Sequence, residues 1–400
     1  MIKGFKLCSF LFVLSLLCSA TSCKKAGDTT VKAASTLPVL TCEDVVKTRM
    51  ITNGLMRFNV SVNITPTADA SATYTLVAGT ALSSKDFTGA TGTVTIAAGQ
   101  NTAYIDVAVT GDSLRQPDLQ FTVQFTSPKN CTLGTTAAKG TISTMDGTYL
   151  PTDDGGYTTP LTYPGYTLTW SDEFAGNTIN TSFWNFETGG SGWGNNELEN
   201  YTNRSQNSFQ SNGKLIIEAR KEAYAGNNYT STRMTSQGKK VFTFGRIDIR
   251  AKLPVSKGMW PALWMLGSNI TSVSWPACGE IDMMELVGSN ASKIYGTAHY
   301  ADNTGKHDSR GGSVSLTGED FSQKFHVFSI IWVKDSIQWL VDDKAYYTMA
   351  ANSTGTSNYP FNKDFFFIFN VAVGGDWPGA PDSSTIFPQR MFVDYVRVFQ

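Results

Sequence analysis

The chain is punctuated too often by turns to be built from helices. Short runs that alternate apolar with polar residues recur from about Leu40 and are closed by glycine-bearing turns. Examples are Phe58-Asn59-Val60-Ser61-Val62, Thr93-Val94-Thr95-Ile96 before Ala97-Ala98-Gly99, and Tyr104-Ile105-Asp106-Val107-Ala108-Val109 before Gly111-Asp112. A period of two puts successive side chains on opposite faces of a strand. Strand-like runs return at 214–219, 245–250, 337–341 and 392–398, and no amphipathic helix of ordinary length interrupts them. The expected fold class is all-β: a small N-terminal β-sandwich, then a larger unit of two stacked antiparallel sheets curved enough to form a cleft on one face.

Composition narrows the function. With 32 basic against 33 acidic side chains the net charge is −1, which gives no electrostatic footprint for a nucleic-acid partner. Only 16% of residues are charged while 12% are aromatic, a balance suited to an extracellular β-protein. All nine tryptophans lie between Trp170 and Trp377, so chemistry is expected in the C-terminal unit.

The N-terminus reads as a processing segment. Lys3 and Lys6 precede an apolar stretch at 7–17, well short of the ~20 residues a membrane-spanning helix needs. Ala20-Thr21-Ser22-Cys23 resembles a bacterial lipobox, which implies removal of residues 1–22 and lipidation of Cys23. The expected location is the outer membrane or cell surface, held by the lipid anchor alone; a periplasmic or secreted protein is the alternative. Export leaves Cys42, Cys131 and Cys278 in the mature chain, with a Cys42–Cys131 bridge expected as one option and Cys278 free.

Residues 23–39 are expected to be a linker and 40–147 the small sandwich. The order Gly79-Thr80-Ala81, Lys85-Asp86-Phe87, Gly92-Thr93-Val94-Thr95-Ile96, Gly111-Asp112 and Phe121-Thr122-Val123 resembles a Calx-beta domain. The acidic run that calcium-binding members carry is replaced by Leu114-Arg115-Gln116-Pro117-Asp118-Leu119-Gln120, so this unit is expected to act as a spacer or interaction domain. Residues 148–164 show no hydrophobic period and read as a second linker, leaving 165–400 as the functional unit.

Within that unit, Gly279-Glu280-Ile281-Asp282-Met283-Met284-Glu285-Leu286 sets three carboxylates in six residues among large apolar side chains. Glu280 and Asp282 share a strand face, whereas Glu285 has the opposite parity. A β-bulge at Met283-Met284 would return Glu285 to the face of Glu280. Two glutamates ~5–5.5 Å apart have the separation that retaining glycoside hydrolysis needs, with Asp282 between them able to shift their proton affinities. An acidic bulged edge or a cation site is the plainer alternative for the motif alone. Tryptophans surround it, in Gly258-Met259-Trp260-Pro261-Ala262-Leu263-Trp264-Met265 and Trp275-Pro276-Ala277-Cys278, and indole faces stack on sugar rings. No histidine or cysteine spacing suggests catalytic zinc, and no Gly-x-Ser-x-Gly suggests a serine esterase.

Here the sequence resembles glycoside hydrolase family 16, in its laminarinase-like branch. The resemblance rests also on Trp170-Ser171-Asp172-Glu173-Phe174, Gly192-Trp193-Gly194-Asn195-Asn196-Glu197-Leu198, Tyr201-Thr202-Asn203-Arg204, Asn370-Val371-Ala372-Val373-Gly374-Gly375-Asp376-Trp377 and Val393-Asp394-Tyr395-Val396-Arg397-Val398. It implies a concanavalin-like jelly roll with the cleft on its concave face, and endo-hydrolysis of β-1,3-glucan by a monomer. It further implies Glu280 as nucleophile, Glu285 as acid/base, Asp282 as assisting carboxylate and a catalytic His299 near the acid/base residue; a buried structural histidine is the alternative for His299. Arg233, Asn370, Trp260, Trp264, Trp275, Trp377, Asn196 and Arg204 would contact substrate. Trp170, Trp184, Trp332 and Trp339 are expected in the core. The resemblance implies no catalytic cofactor but one structural calcium ion, at Glu173, Asp394 and the Gly213 carbonyl; an ion pair of Asp394 with Arg397 or Arg246 is the alternative. Agarase- or carrageenase-type galactan hydrolysis, or non-catalytic glycan binding, are the competing functions.

Overall fold

The computed structural model describes residues 37–400. The signal segment, Cys23 and most of the first expected linker lie outside the described residues. Almost every regular element is a strand, and the helical segments among these residues are three short 3-10 turns.

The first unit stacks two five-stranded sheets around a core that includes Met56, Phe58, Phe87 and Phe121. Alternation set this up: in Gly54–Val62, residues Met56, Phe58, Val60 and Val62 are buried while Leu55, Arg57 and Asn59 are exposed. The expected Cys42–Cys131 bridge is not formed. Both thiols are free and buried, Cys42 directed at the Glu43 carbonyl and Cys131 at that of Ser71. Burial pushes the Cys42 thiol up to about 11, so it packs as a small apolar group.

The second unit is a sandwich of a ten-stranded and a seven-stranded sheet. Its core lies between them and includes Phe367, Phe369, Val371 and Val373, from the wholly buried strand Phe365–Val373. The alternate residues of that strand, Ile368, Asn370 and Ala372, face the other way, and Asn370 and Ala372 line the cleft. Trp184, Trp332 and Trp339 are core residues, as expected, and Trp170 packs against the core edge.

Residues 148–164 do not form the loose linker that the sequence suggested. They cross the outer face of the ten-stranded sheet as a docked strap. The Gly155 carbonyl accepts from Phe325 N and the Tyr157 N donates to the Phe325 carbonyl, both at 2.9 Å. A side chain at Gly156, whose φ is +134°, would lie 2.0 Å from the Phe325 carbonyl oxygen, so only glycine permits this approach. Arg250 donates to the Tyr157 and Asp154 carbonyls at 2.6 Å, and Arg397 to that of Thr159 at 3.2 Å. The strap satisfies its polar backbone through arginines rather than by burying an apolar face, which is why it carries no periodic signal.

The same face joins the two units. Arg115, from the first sandwich, lies over the Phe209 ring at 3.9 Å and donates to Glu218 at 3.2 Å and to the Gln206 carbonyl at 2.7 Å. Glu218, fully buried, also receives Arg220 and Arg390, each at 2.6 Å.

The residues expected to hold calcium are on this face, and as they stand they do not fit an ion. Glu173 is held by Arg397 at 2.7 and 2.9 Å, and Asp394 by Lys214 at 2.9 Å and Arg250 at 2.7 Å. Each carboxylate is already neutralised by the chain's own cations, whereas calcium wants six to eight oxygens. Asp394 is therefore ion-paired, with Lys214 and Arg250 rather than with the anticipated Arg397 or Arg246.

Candidate active site

The cleft opens on the outer face of the seven-stranded sheet and encloses about 330 Å³. Its centre is the strand Glu280–Leu286, paired on one side with Met259–Gly267 and on the other with Lys293–Ala301. Across the second pairing Asp282 opposes Thr297 and Glu285 opposes Tyr295, so two residues face the single Gly296. The bulge thus falls at Met283-Met284, where the parity argument requires it. Both methionine side chains enter the core, while Glu280, Asp282 and Glu285 all line the cleft. Trp339 pins the bulge from behind, its indole donating to the Asp282 carbonyl at 2.9 Å. A side chain at Gly296 would come within 2.4 Å of that indole.

Tryptophans bracket the carboxylates as donors and as walls. Trp275 Nε1 donates to Glu280 Oε2 at 3.1 Å and Trp260 Nε1 to Glu285 Oε1 at 3.0 Å. Trp264 donates to Asn370 at 2.8 Å, Asn370 to the Tyr201 hydroxyl at 3.0 Å, and that hydroxyl to Glu197 at 2.9 Å. Arg233 lies between the Trp264 and Trp193 rings at 4.7 and 5.0 Å and pairs with Glu187. Trp377 is half-exposed at the rim, edge-on to Trp260 and Tyr295.

The acids are poised high. Burial, reinforced by Asp282, pushes Glu280 up to about 8, with His299 and Arg233 pulling it back. Burial raises Asp282 to about 8. Burial and Asp282 bring Glu285 to about 8, opposed by His299 and the Trp260 hydrogen bond. Three such groups cannot all ionise near neutral pH, so the cleft holds a mixed set of acid and carboxylate. Arg233 pulls Glu280 down and the Trp260 hydrogen bond pulls Glu285 down, and the two glutamates come to about the same level.

His299 Nε2 lies 3.0 Å from Asp282 Oδ2 and 3.8 Å from Glu280 Oε1. These three residues form a cluster compact enough for a cation among the described residues. The raised proton affinities of Glu280 and Asp282 work against carboxylate ligation, and no metal is assigned there.

The chain belongs to glycosyl hydrolases family 16. The family's model matches residues 195–396, half of the chain, and spans the bulged strand and the cleft floor. The chain is 42% identical over 248 residues to a beta-glucanase of Rhodothermus marinus, covering 59% of this chain and 86% of that protein. It is 40% identical over 254 residues to a glucan endo-1,3-beta-glucosidase of Cryptopygus antarcticus, covering 58% and 91%. Among solved structures, the laminarinase catalytic domain of Thermotoga maritima MSB8 matches with a TM-score of 0.55 and 47% identity, over 59% of this chain and 98% of that one.

Of the residues singled out from sequence, Glu280, Asp282, Glu285, Arg233, Trp260, Trp264, Trp275 and Asn370 line this family 16 cleft. His299, expected near Glu285, lies instead opposite Glu280 and beside Asp282, and Asn196, between the cleft-lining Asn195 and Glu197, bonds Asp376 at 2.9 Å. Arg204 is not brought to the cleft. It pairs with Glu222 and lies over the Tyr224 ring at 4.2 Å. The polar reach from that stretch comes instead from Tyr201.

Sequence reasoning missed Glu197, Glu199 and His307. Glu197, Glu199 and Tyr201 share one parity, a signal that was available. His307 follows the turn-forming Asp302-Asn303-Thr304-Gly305, and recognising that hairpin would have folded it back beside His299.

Proposed function

We propose that the protein is a retaining endo-glycosidase of β-1,3-glucan. The observation that carries this reading is the bulge, which sets Glu280 and Glu285 on one tryptophan-walled face with raised proton affinities. Relatives named as endo-1,3-beta-glucosidases and laminarinases support the linkage.

The Glu280 carboxylate attacks the anomeric carbon while the Glu285 acid gives its proton to the departing glycosidic oxygen, leaving a glycosyl-enzyme ester. Glu285, now ionised, takes a proton from water, which attacks the same carbon and frees Glu280 with configuration retained. Trp275 and Arg233 favour the ionised Glu280 at the first step. Asp282 and His299 modulate the proton balance between the two glutamates. Trp260, Trp264, Trp275 and Trp377 supply apolar faces for successive sugar rings. A β-1,3 chain curves, which suits a bent cleft with walls on both sides. The lipobox-like Cys23 and its preceding apolar run support action outside the cytoplasm on a lipid tether, with the first sandwich as a rigid spacer.

The test is turnover on laminarin, curdlan, lichenan, agarose and carrageenan, with NMR of the first-formed reducing ends. Laminarin should be fastest, with β-configured ends appearing before mutarotation. Faster agarose or carrageenan cleavage would reassign the substrate to a galactan. An initial α-anomer would sink the mechanism.

A further inference from the structure

His299 has two ring nitrogens, and the cleft uses one. Nε2 faces Asp282 and Glu280, while Nδ1 lies 2.8 Å from Nε2 of His307. His307 opens the strand His307–Ser315, whose pairing with Lys293–Ala301 sets it opposite Ala301. That makes it a diagonal neighbour of His299 on the same face. Its ring also packs on Trp275, at 4.7 Å between centroids, and Trp275 in turn donates to Glu280. Four groups therefore close a ring, Glu280, His299, His307 and Trp275, with Asp282 beside His299. The other charged neighbours are turned elsewhere, Asp308 towards Tyr300 and Arg310.

A neutral imidazole carries one N–H and one lone pair, and the hydrogen bond made by one nitrogen decides which is which. We propose that His307 is a positioning residue that donates its Nε2–H to His299 Nδ1 and thereby fixes the His299 proton on Nε2, on the side of the Asp282–Glu280 pair, 3.0 Å from Asp282 Oδ2 but out of line for a hydrogen bond to it in the resting structure. The opposite tautomer would turn a lone pair onto the nucleophilic carboxylate. The contact with Trp275 gives His307 a second hold on the same carboxylate. This inference rests on the reading of Glu280 and Glu285 given above.

The chain has three histidines in all, His299, His307 and His326, so its imidazole nitrogens are resolvable by long-range proton–nitrogen NMR. In the full chain at neutral pH, both His299 and His307 should show a protonated Nε2 and an unprotonated Nδ1. A proton on His299 Nδ1 would overturn the proposal, whether or not laminarin is the substrate. Kinetics on laminarin give the second arm. His307→Leu should lower kcat by about 10-fold or more, in the range typical of losing an orienting partner, with KM nearly unchanged. His307→Gln, whose amide can still donate to His299, should recover most of kcat. A rise in KM without loss of kcat, or a Gln variant no better than Leu, would reduce His307 to packing for Trp275. If His307→Leu fails to fold, the tautomer measurement and the Gln variant still decide. A wild-type chain inactive on laminarin would count against the function and not against the tautomer.

Discussion

The two outer faces of the C-terminal sandwich bury the same kinds of side chain to opposite ends. On the outer ten-stranded face the fully buried acids Glu218 and Asp248 have cations of their own: Glu218 meets Arg115, Arg220 and Arg390, and Asp248 meets Arg246 at 2.8 Å with Tyr163 and Ser329 adding hydroxyls. On the cleft face Glu280 and Glu285 each receive one indole N–H, Asp282 Oδ2 has the His299 ring 3.0 Å away but no hydrogen bond, and burial pushes each acid up to about 8. Compensated acids fasten the strap and the first sandwich to the sheet. Uncompensated acids keep their protons negotiable at neutral pH, which acid/base chemistry requires. The lesson is that partner, not depth of burial, separates a structural carboxylate from a working one.

The sharpest way to break this contrast is to remove one acid from each face. Glu280→Ser or Glu285→Ala should lower laminarin turnover by about a thousandfold or more while leaving thermal unfolding unchanged or slightly later. Glu218→Ala should do the reverse. It strands buried Arg115 and Arg220, at a cost of about 3–5 kcal/mol, yet leaves kcat and KM at permissive temperature near wild type. Calorimetry and initial rates on the three variants suffice. A stable Glu218→Ala protein, or a Glu280→Ser protein that loses stability instead of activity, would show that the two faces are not divided as described.

Truncation separates the strap from the first sandwich. A chain beginning at Thr144 loses Arg115 but keeps the carbonyls of Asp154, Tyr157 and Thr159. One beginning at Pro164 also removes the strap partners of Arg250, Arg397 and Lys214, each hydrogen bond to such a charged group being worth about 1.5–3 kcal/mol. The second chain should unfold at a clearly lower temperature than the first, with equal initial rates on laminarin in the cold. Equal melting temperatures would mean that residues 148–164 are a passive linker after all.

This division also explains what the sequence disclosed. Strands and the bulge were legible because burial on one side of a sheet imposes a period of two, and the parity of Glu285 could be satisfied only by an extra residue at Met283-Met284. The tryptophan walls were legible because indoles cluster around the motif. The strap was not, because its order comes from arginine-to-carbonyl bonds made by residues 90 or more positions away, as from Arg250 to Tyr157 and Asp154. Arg204 was misplaced for a related reason: the stretch does reach the site, but through Tyr201, and a side chain three positions on is drawn to Glu222 instead. Likewise, Lys214 and Arg250 neutralise Asp394, and nothing local in its segment announces them.

The gentlest test concerns Glu199, an acid without a cation that lies outside the proposed catalytic group. It is fully buried and accepts from Val373 N at 2.6 Å, and burial together with the Glu197 charge raises it well above the ordinary carboxylate range. The folded chain therefore keeps this proton at pH values where the unfolded chain, with an ordinary glutamate pKa of ~4.3, has lost it. Where the unfolded state binds fewer protons, stability falls as pH rises. The contribution is neutral below about pH 4 and grows steadily unfavourable above it, until the folded group itself ionises. Glu199→Gln preserves the acceptor for Val373 and removes the titration. It should match wild type near pH 4 and melt a few degrees higher at neutral and mildly alkaline pH, with the gap widening as pH increases. The same substitution at Glu218, which removes the carboxylate that Arg115, Arg220 and Arg390 share, should lower stability. A Glu199→Gln gain that is independent of pH would mean that Glu199 is held as a carboxylate, and the boundary between compensated and uncompensated acids would then have to be redrawn inside the ten-stranded sheet, whose edge strand Glu199–Tyr201 carries it.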